Sequence, residues 1–480
     1  MYYNKLIFEV STPNRIGHDL KVNTNNLSNL PSNLKRSNKL KLSEVSEPDV
    51  VRHFTNLSMK NFGVDTGFYP LGSCTMKYNP KINEKMANLP GFQNVHPLAP
   101  IEAVQGSLEV MYETDILLRE ITGMDKFSLA PFAGAHGELV GLWIIKKYHE
   151  LRKDFKRTKI IIPDSAHGTN PASVAVAGFD VLEVKSNENG TVNVEALKEL
   201  LSDEVAGIML TNPNTLGIFE KDILEISKLI HDIGGLLYYD GANLNALLGR
   251  GKPAIMGFDI VHLNVHKTFS TPHGGGGPGA GPVGVIKTLE NYLPGPVVEK
   301  NDKGKYLFKT PKNSVGRIGT FYGNFLVILR TNSYIKTLGV ENLNKIGNLA
   351  VLNANYIRKS LEDYYEVSIN DLCMHEVVFN GLLDKSTGIT TLDVAKRLMD
   401  YGVHPPTIYF PLIIPQAMMV EPVETESKET LDHFIDVMKK IAIEAKENPE
   451  IFKDAPHDTI VSRLDEVQAA RNPVIKFDDL

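Results

Sequence analysis

Cysteine is nearly absent: the 480 residues contain two, Cys74 and Cys373, far apart in sequence. That excludes a disulfide framework and a thiolate metal site, and it is the usage expected of a reducing, cytoplasmic compartment. An excess of basic charge is also missing. The formal net charge is −6 and no basic cluster stands out, so nothing points to nucleic acid as a partner. Long apolar runs are absent too. The opening MYYNKLIFEVSTPN is too short in apolar residues for a signal peptide, and no later stretch is long enough to span a bilayer, so no membrane association is expected. Internal repeats and low-complexity segments are lacking. What remains, 42% apolar and 22% charged residues, is an ordinary globular composition of a length that suggests two or three domains.

Residues 1–60 are polar, notably Asn23–Asn38, and show little periodicity, which predicts an arm that wraps a neighbour. Phe62–Pro100 is rich in Gly, Pro and Asn interleaved with aromatics and reads as a long functional loop. Cys74 lies within it and is expected to be an inert, small apolar residue. A helix is predicted over Glu102–Thr122. After it, APFAGAHGELVGLWIIKKYHELR leads from small residues straight into an amphipathic helix with Ala135 and His136 at its start. Free N–H groups at such a start can hold a phosphate.

The pattern then alternates regularly. Strand-like runs end in Ser165 and His167, in Asn212, Asn214 and Thr215, in Asp240 and Ala242, and in His266 and Lys267, with helical runs between them. This alternation predicts an α/β domain with a mostly parallel sheet whose strand carboxyl ends open onto one crevice. Beyond Arg317, helical patterns at Asn324–Leu338 and Glu341–Asp363 precede strand-like runs at Met374–Phe379 and Ile408–Ile414. Helices are predicted at Leu392–Tyr401 and Glu426–Lys446, with a polar tail from Pro449. The expected organisation is an N-terminal arm and loop region (1–100), a large α/β domain (101–325) and a smaller α+β domain with a tail (326–480).

Lys267 stands out because it follows a buried, β-branched run, Ile260–Val265, where an ammonium needs either a partner or a chemical task. Desolvation frees a lysine amine to attack a carbonyl and form a Schiff base. Pyridoxal phosphate fits the remaining side chains on that rim. Asp240 would keep its ring nitrogen cationic and His167 would lie on the ring face. Asn214 or Thr215 would reach the ring hydroxyl, with Ala242 beside Asp240. Ala135, His136, His266 and the glycine-rich turn after Lys267 would hold the phosphate. Two rival motifs fail. Gly279–Gly284 spells a dinucleotide fingerprint, but a β-like run follows it where a helix is required. His262 and His266 are spaced four apart on a strand-like segment without a zincin glutamate, so no metal is expected and His262 is predicted to be a buried, hydrogen-bonded histidine. Arg317, Arg330 and Arg397 are candidates for a substrate carboxylate, although surface arginines are the ordinary expectation. These residues leave open several pyridoxal phosphate enzymes, including an aminotransferase or a cysteine desulfurase, and also a non-catalytic scaffold subunit.

FYPLGSCTMKYNP, SAHGTNPASVAVAGF, TNPNTLGIFE, YYDGANLNAL, HLNVHKTFSTPHGGGGPGAGPVG, PPTIYFP and EPVETESKETLD together resemble the glycine-cleavage P-proteins, the decarboxylating glycine dehydrogenases. The resemblance runs from about residue 62 to 432. It implies an aspartate-aminotransferase-like (fold type I) architecture, with Lys267 carrying pyridoxal phosphate. His136 stands where some relatives have glutamine, so its backbone is the part expected to contribute. The family also occurs as one long chain of two related halves, and this sequence is similar to the lysine-bearing half alone. A separate subunit 1 is therefore implied, in an α2β2 assembly, together with glycine as substrate and the lipoyl-carrying H-protein as acceptor of its aminomethyl group.

Overall fold

The computed structural model describes residues 5–19, 30–38, 40–274 and 279–475. Residues 23–29 of the polar stretch and 275–278 of the glycine-rich segment lie outside the described residues. The chain divides after Gly67 into two compact units.

The first unit contains a helix that periodicity passes over, α1 (Glu47–Met59), of which only His53 is buried. Its start is nevertheless written locally. Ser46 accepts the N–H of Asp49, a proline occupies the first turn, and Glu47 and Asp49 place negative charge at the positive end of the helix.

In the second unit, the stretch expected to be an unstructured loop carries two short helices, α2 (Lys81–Ala87) and α3 (Pro90–Gln93), each opened by a proline. Then come α4 (Gln105–Thr122), β1 (Lys126–Ser128), α5 (Gly134–Leu151), β2 (Lys159–Pro163), α6 (Thr169–Ala177), β3 (Asp180–Val184), α7 (Val194–Leu200), β4 (Val205–Thr211), α8 (Ile223–Asp232), β5 (Leu236–Gly241) and β6 (Ile260–Leu263). One helical turn, α9 (Val265–Thr268), leads on to β7 (Val283–Val285) and a hairpin of β8 (Val297–Lys300) and β9 (Tyr306–Lys309). Seven strands form one sheet in the order β1-β7-β6-β5-β4-β2-β3. Neighbours from β3 to β6 pair in parallel and β7 runs against both of its neighbours, so the sheet is mostly parallel, as expected. β4 and β5 are buried along their whole length, which is why they read as continuous apolar runs rather than alternating ones. Helix α5 packs onto this sheet at Gly141, where even a methyl group would lie 2.1 Å from the Tyr238 ring.

The helical patterns at Asn324–Leu338 and Glu341–Asp363 are the two arms of α10 (Phe325–Leu361), broken at Gly339 by a non-helical backbone (φ 66, ψ 172) that glycine tolerates. A second sheet follows, of order β10-β11-β13-β12, built from β10 (Tyr365–Val367), β11 (Val377–Leu382), β12 (Thr407–Ile408) and β13 (Ala417–Val420). It is flanked by α11 (Thr391–Asp400) and α12 (Lys428–Glu447). The run Ile408–Ile414 is not the strand expected of it. Left-handed Tyr409 (φ 57) and Pro411, which has no N–H to give a ladder, turn the chain out of the sheet after Ile408. The expected strand at Met374–Phe379 lies three residues later. The described part of the polar tail, up to residue 475, is also structured: Phe452 and Ala455 are buried and a last helix, α13, spans Glu466–Arg471. Among the described residues no helix is long and apolar enough to cross a membrane.

Candidate active site

Because β2, β4, β5 and β6 run in parallel, the residues following each of them emerge on one edge of the sheet. His167, Asn214 with Thr215, Asp240 with Ala242, and Lys267 therefore share that rim, in this order across the sheet. Lys267 does not prolong β6 as the β-branched run suggested. The strand stops at Leu263, and the helical turn α9 closes through Lys267 N–H to the Asn264 carbonyl (2.9 Å). The turn tucks the amine inward, leaving Lys267 5% exposed.

Asp240 is 1% exposed and lies opposite His262 in register. Its Oδ1 accepts the Ala242 N–H (3.0 Å) and faces His262 Nε2 (3.3 Å); its Oδ2 accepts from Asn170 Nδ2 (3.0 Å). His262 is a buried, hydrogen-bonded histidine, as predicted, with Nδ1 2.6 Å from the Tyr238 hydroxyl. When that hydroxyl donates to Nδ1, Nε2 carries the proton, and at this geometry it completes no hydrogen bond with Asp240. Burial alone would push the Asp240 carboxyl up, but His262, His167, Asn170 and Lys267 outweigh it and hold the group below its ordinary value. Asn170 also donates to Glu138 (3.2 Å), whose oxygens accept from Thr169 (2.7 Å) and Ser173 (2.9 Å) as well. Asn170, Glu138 and His262 are thus the layer beneath Asp240, and the sequence reading missed this role for all three. The register would have given His262, since it is the residue directly across from Asp240.

His167 is half-buried beside Thr169 Oγ1 (3.1 Å), and burial, then the Lys267 charge, lowers its pKa. Burial and the same charge push His266 down to about 3. Asn214 has its side chain committed within its own loop: it donates to the Gly190 carbonyl (2.7 Å) and accepts from Leu216 N–H (3.0 Å) and Ile218 N–H (3.2 Å). Thr215 donates to the Ser165 carbonyl (2.6 Å), and the Ala242 N–H is used by Asp240. Ala135 and His136 sit in the first turn of α5, whose N-cap, Ala133, supplies no side-chain cap, while His136 Nδ1 accepts from Phe132 N–H (3.2 Å). That turn lies directly against the strand after the glycine-rich segment: a Cβ on Gly281 would lie 2.0 Å from the Ala133 carbonyl oxygen. Around Lys267, the buried atoms Asn264 Oδ1, His266 Nδ1, Thr268 Oγ1 and Thr271 Oγ1 have no hydrogen-bond partner among the described residues. Of the arginines, Arg330 grips Glu84 with two bonds of 2.8 Å and Arg397 pairs with Glu444 and Asp400, while Arg317 is exposed.

The segment around Cys74 is strapped to the second sheet and to the loop after Lys267. Thr407 donates to the Gly72 carbonyl (2.8 Å), and Asn79 donates to the Ser270 carbonyl (3.1 Å). Cys74 is half-buried; burial raises its thiol pKa, which the Lys267 charge opposes. Lys77 is its deepest anchor, 1% exposed, bonded to Glu424 (2.7 Å) and Asn245 (2.9 Å). Burial alone would lower the Lys77 pKa, but Glu424 and Tyr334 outweigh it and raise it. The pair's contribution is complete below the unfolded lysine value of about 10.4 and is lost only as pH rises through the raised folded value. Lys77→Met leaves Glu424 buried without its cation and should remove about 3–5 kcal/mol of stability, read from urea unfolding at neutral pH. A loss below about 1 kcal/mol would show that the strap is held elsewhere.

The sequence matches the family "Glycine cleavage system P-protein" over residues 16–310 and "Glycine dehydrogenase, C-terminal domain" over 346–461. It is 62% identical over 479 residues to a probable glycine dehydrogenase (decarboxylating) subunit 2 of Caldanaerobacter subterraneus subsp. tengcongensis, covering 99% of each chain. A protein of the same description from Alkaliphilus oremlandii is 59% identical over 480 residues, again covering 99% of each. The crystal structure of an inhibitor-bound glycine decarboxylase (P-protein) of the glycine cleavage system shares the fold, with a TM-score of 0.72 at 19% identity over 86% of this chain and 93% of that one. Lactobacillus brevis glutamate decarboxylase does so with a TM-score of 0.66 at 12% identity over 86% and 96%. The match over most of the first 310 residues and the near-complete coverage of the relatives assign the chain to the glycine cleavage system P-protein family.

Proposed function

We propose that this chain is the lysine-bearing subunit of a pyridoxal phosphate-dependent glycine decarboxylase that passes the aminomethyl group of glycine to the lipoyl arm of H-protein. The observation that carries this reading is the convergence of a buried amine, Lys267, and a buried carboxylate held low, Asp240, on neighbouring strand ends. The residues fit the cofactor. The unpartnered hydroxyls of Thr268 and Thr271 and the uncapped start of α5, packed backbone to backbone against Gly281, offer donors to a phosphate. Residues 275–278, expected to contribute there, are outside the described residues.

When bound, pyridoxal phosphate supplies an electron sink for the pair left behind as carbon dioxide departs. The remaining work belongs to side chains of this chain. Lys267 would provide the amine that tethers the cofactor. Asp240 would stabilise positive charge on the ring nitrogen, with Asn170 and the Ala242 N–H fixing its two oxygens and His262 Nε2 3.3 Å from Oδ1. His167 would lie on the ring face, with Thr215 toward the ring hydroxyl, since the Asn214 side chain is committed to its own loop. The strapped segment 71–79 keeps water from the reacting carbon.

The description of the relatives as subunit 2 supports a partner subunit 1, which we place in an α2β2 assembly in the cytoplasm. The test is exchange of labelled bicarbonate into the carboxyl group of glycine by the chain mixed with subunit 1 and lipoylated H-protein. Exchange that needs all three components is expected. Sulfide release from cysteine, or amino transfer to an oxo acid, in place of that exchange would overturn the reading.

A further inference from the structure

A second group of buried ionisable side chains is used by none of the chemistry above. His375, Glu376 and Glu421 are each 0% exposed. β11 and β13 pair with Val377 opposite Val420, so the next positions outward, Glu376 and Glu421, flank the same end of the ladder. Each glutamate holds one shoulder of the Cys74 turn. Glu376 Oε2 accepts the Ser73 N–H (2.7 Å), and Glu421 accepts the Thr75 N–H on Oε2 (2.9 Å) and the Thr75 hydroxyl on Oε1 (2.6 Å). Ser73 (φ 60) and Thr75 (φ 46) are both left-handed without being glycine, so the two carboxylates hold a turn the chain would not adopt unaided.

These bonds leave Glu376 Oε1 and both ring nitrogens of His375 without a partner among the described residues. They are not scattered. His375 Nε2 lies 3.7 Å from Glu376 Oε1 and 4.0 Å from Glu421 Oε1, and one ligand atom from each residue falls within 4.8 Å of the other two. Two buried carboxylates side by side carry a large desolvation penalty that protonating one of them would relieve. A proton on either carboxyl would still lie with its oxygen 3.7 or 4.0 Å from His375 Nε2, beyond hydrogen-bond reach, so the imidazole lone pair stays unused. A divalent cation answers all three groups at once, balancing both carboxylates and taking the lone pair of a histidine that burial keeps neutral.

We propose that His375 Nε2, Glu376 Oε1 and Glu421 Oε1 are the ligands of a divalent metal site that pins the Cys74 turn to the end of the second sheet. One imidazole and two carboxylates suit zinc or manganese better than magnesium or calcium, which take oxygen ligands. With metal–ligand bonds of about 2.0–2.2 Å, tetrahedral ligand atoms lie about 3.4 Å apart, so both glutamate oxygens have to move toward His375 Nε2, from 3.7 and 4.0 Å, on binding. The Lys267 charge reaches all three ligands and opposes a cation there.

The experiment uses the full-length chain with its partner subunit, stripped by a chelator and titrated with cobalt(II) as a spectroscopic probe, with zinc content measured separately after dialysis. Expected are saturable uptake of one equivalent and a visible ligand-field absorption that zinc displaces. Glu376→Gln, which keeps an acceptor for Ser73, and His375→Asn should each weaken cobalt binding by more than about 100-fold, beyond the loss typical of outer-shell changes. Lys267→Gln should tighten it. A wild-type protein without the ligand-field band overturns the proposal whether or not the variants fold. The same band and affinity in both ligand variants, or weaker binding in Lys267→Gln, overturns it equally by placing the metal elsewhere.

Discussion

Lys267→Ala is expected to reduce glycine decarboxylation to background while leaving the fold unchanged. Among the described residues Lys267 makes no ion pair, and its charge acts on its neighbours only through space. Its removal therefore strands no buried carboxylate of its own, and the unfolding midpoint should move little. Turnover should fall by at least about four orders of magnitude, the upper end of what one positioned acid–base group supplies. Lys267→Arg separates charge from chemistry. It restores a cation at the same place, but a guanidinium stays protonated and cannot attack a carbonyl, so it should be as inactive as alanine. Borohydride reduction of the wild-type protein should fix cofactor to the peptide holding residue 267, and neither variant should be labelled. Activity within tenfold of wild type in either variant would remove Lys267 from the reaction.

That residue was legible from the sequence because its oddity is local: a cation placed directly after an apolar, β-branched run. The same locality explains what was misread nearby. Val265 prolongs the β-branched pattern past Leu263, yet the backbone turns at Asn264, and period alone cannot tell a last strand residue from the first of a buried helical turn. Ile408–Ile414 failed for a related reason. Apolar residues there announce burial, while Tyr409 and Pro411 determine the backbone path. By contrast the two arms of α10 were separable because Gly339 interrupts both the helical pattern and the backbone at the same point.

The layer under Asp240 and the strap around Cys74 lay beyond reach for a different reason. Asn170 meets Asp240 across 70 positions, Ser73 meets Glu376 across 303 and Lys77 meets Glu424 across 347. No periodic signal links partners that far apart, and each residue taken singly looks like an ordinary polar group of a loop. The rim itself was readable because the parallel topology, inferred from the alternation of strands and helices, gathers strand ends whatever their separation in sequence. Topology could say which residues share an edge but not which of them still had a free hydrogen bond. Asn214, whose donor and acceptor are consumed by its own loop, marks that difference.

Asp240→Asn is the change of second largest expected effect, and it tests whether the carboxylate acts by charge or by shape. Asparagine keeps the size of the side chain and one oxygen for the Ala242 N–H, but its amide then meets Asn170 Nδ2 donor to donor. It also removes the negative charge that Asn170 and the Ala242 N–H hold ready. A neutral amide cannot stabilise a cationic ring nitrogen, so the sink weakens in the step where electrons are withdrawn. The expected loss in turnover is about 10²–10³-fold, the range for removing one preorganised electrostatic group. Affinity for glycine should change much less, because the charge develops after binding. A cofactor analogue methylated on the ring nitrogen carries the positive charge permanently. It should recover a large part of the activity of Asp240→Asn while giving wild type no gain. Wild-type turnover in the variant with the normal cofactor would mean that another group holds the ring nitrogen. Loss of turnover without recovery by the analogue would mean that Asp240 serves to orient its neighbours rather than to hold charge.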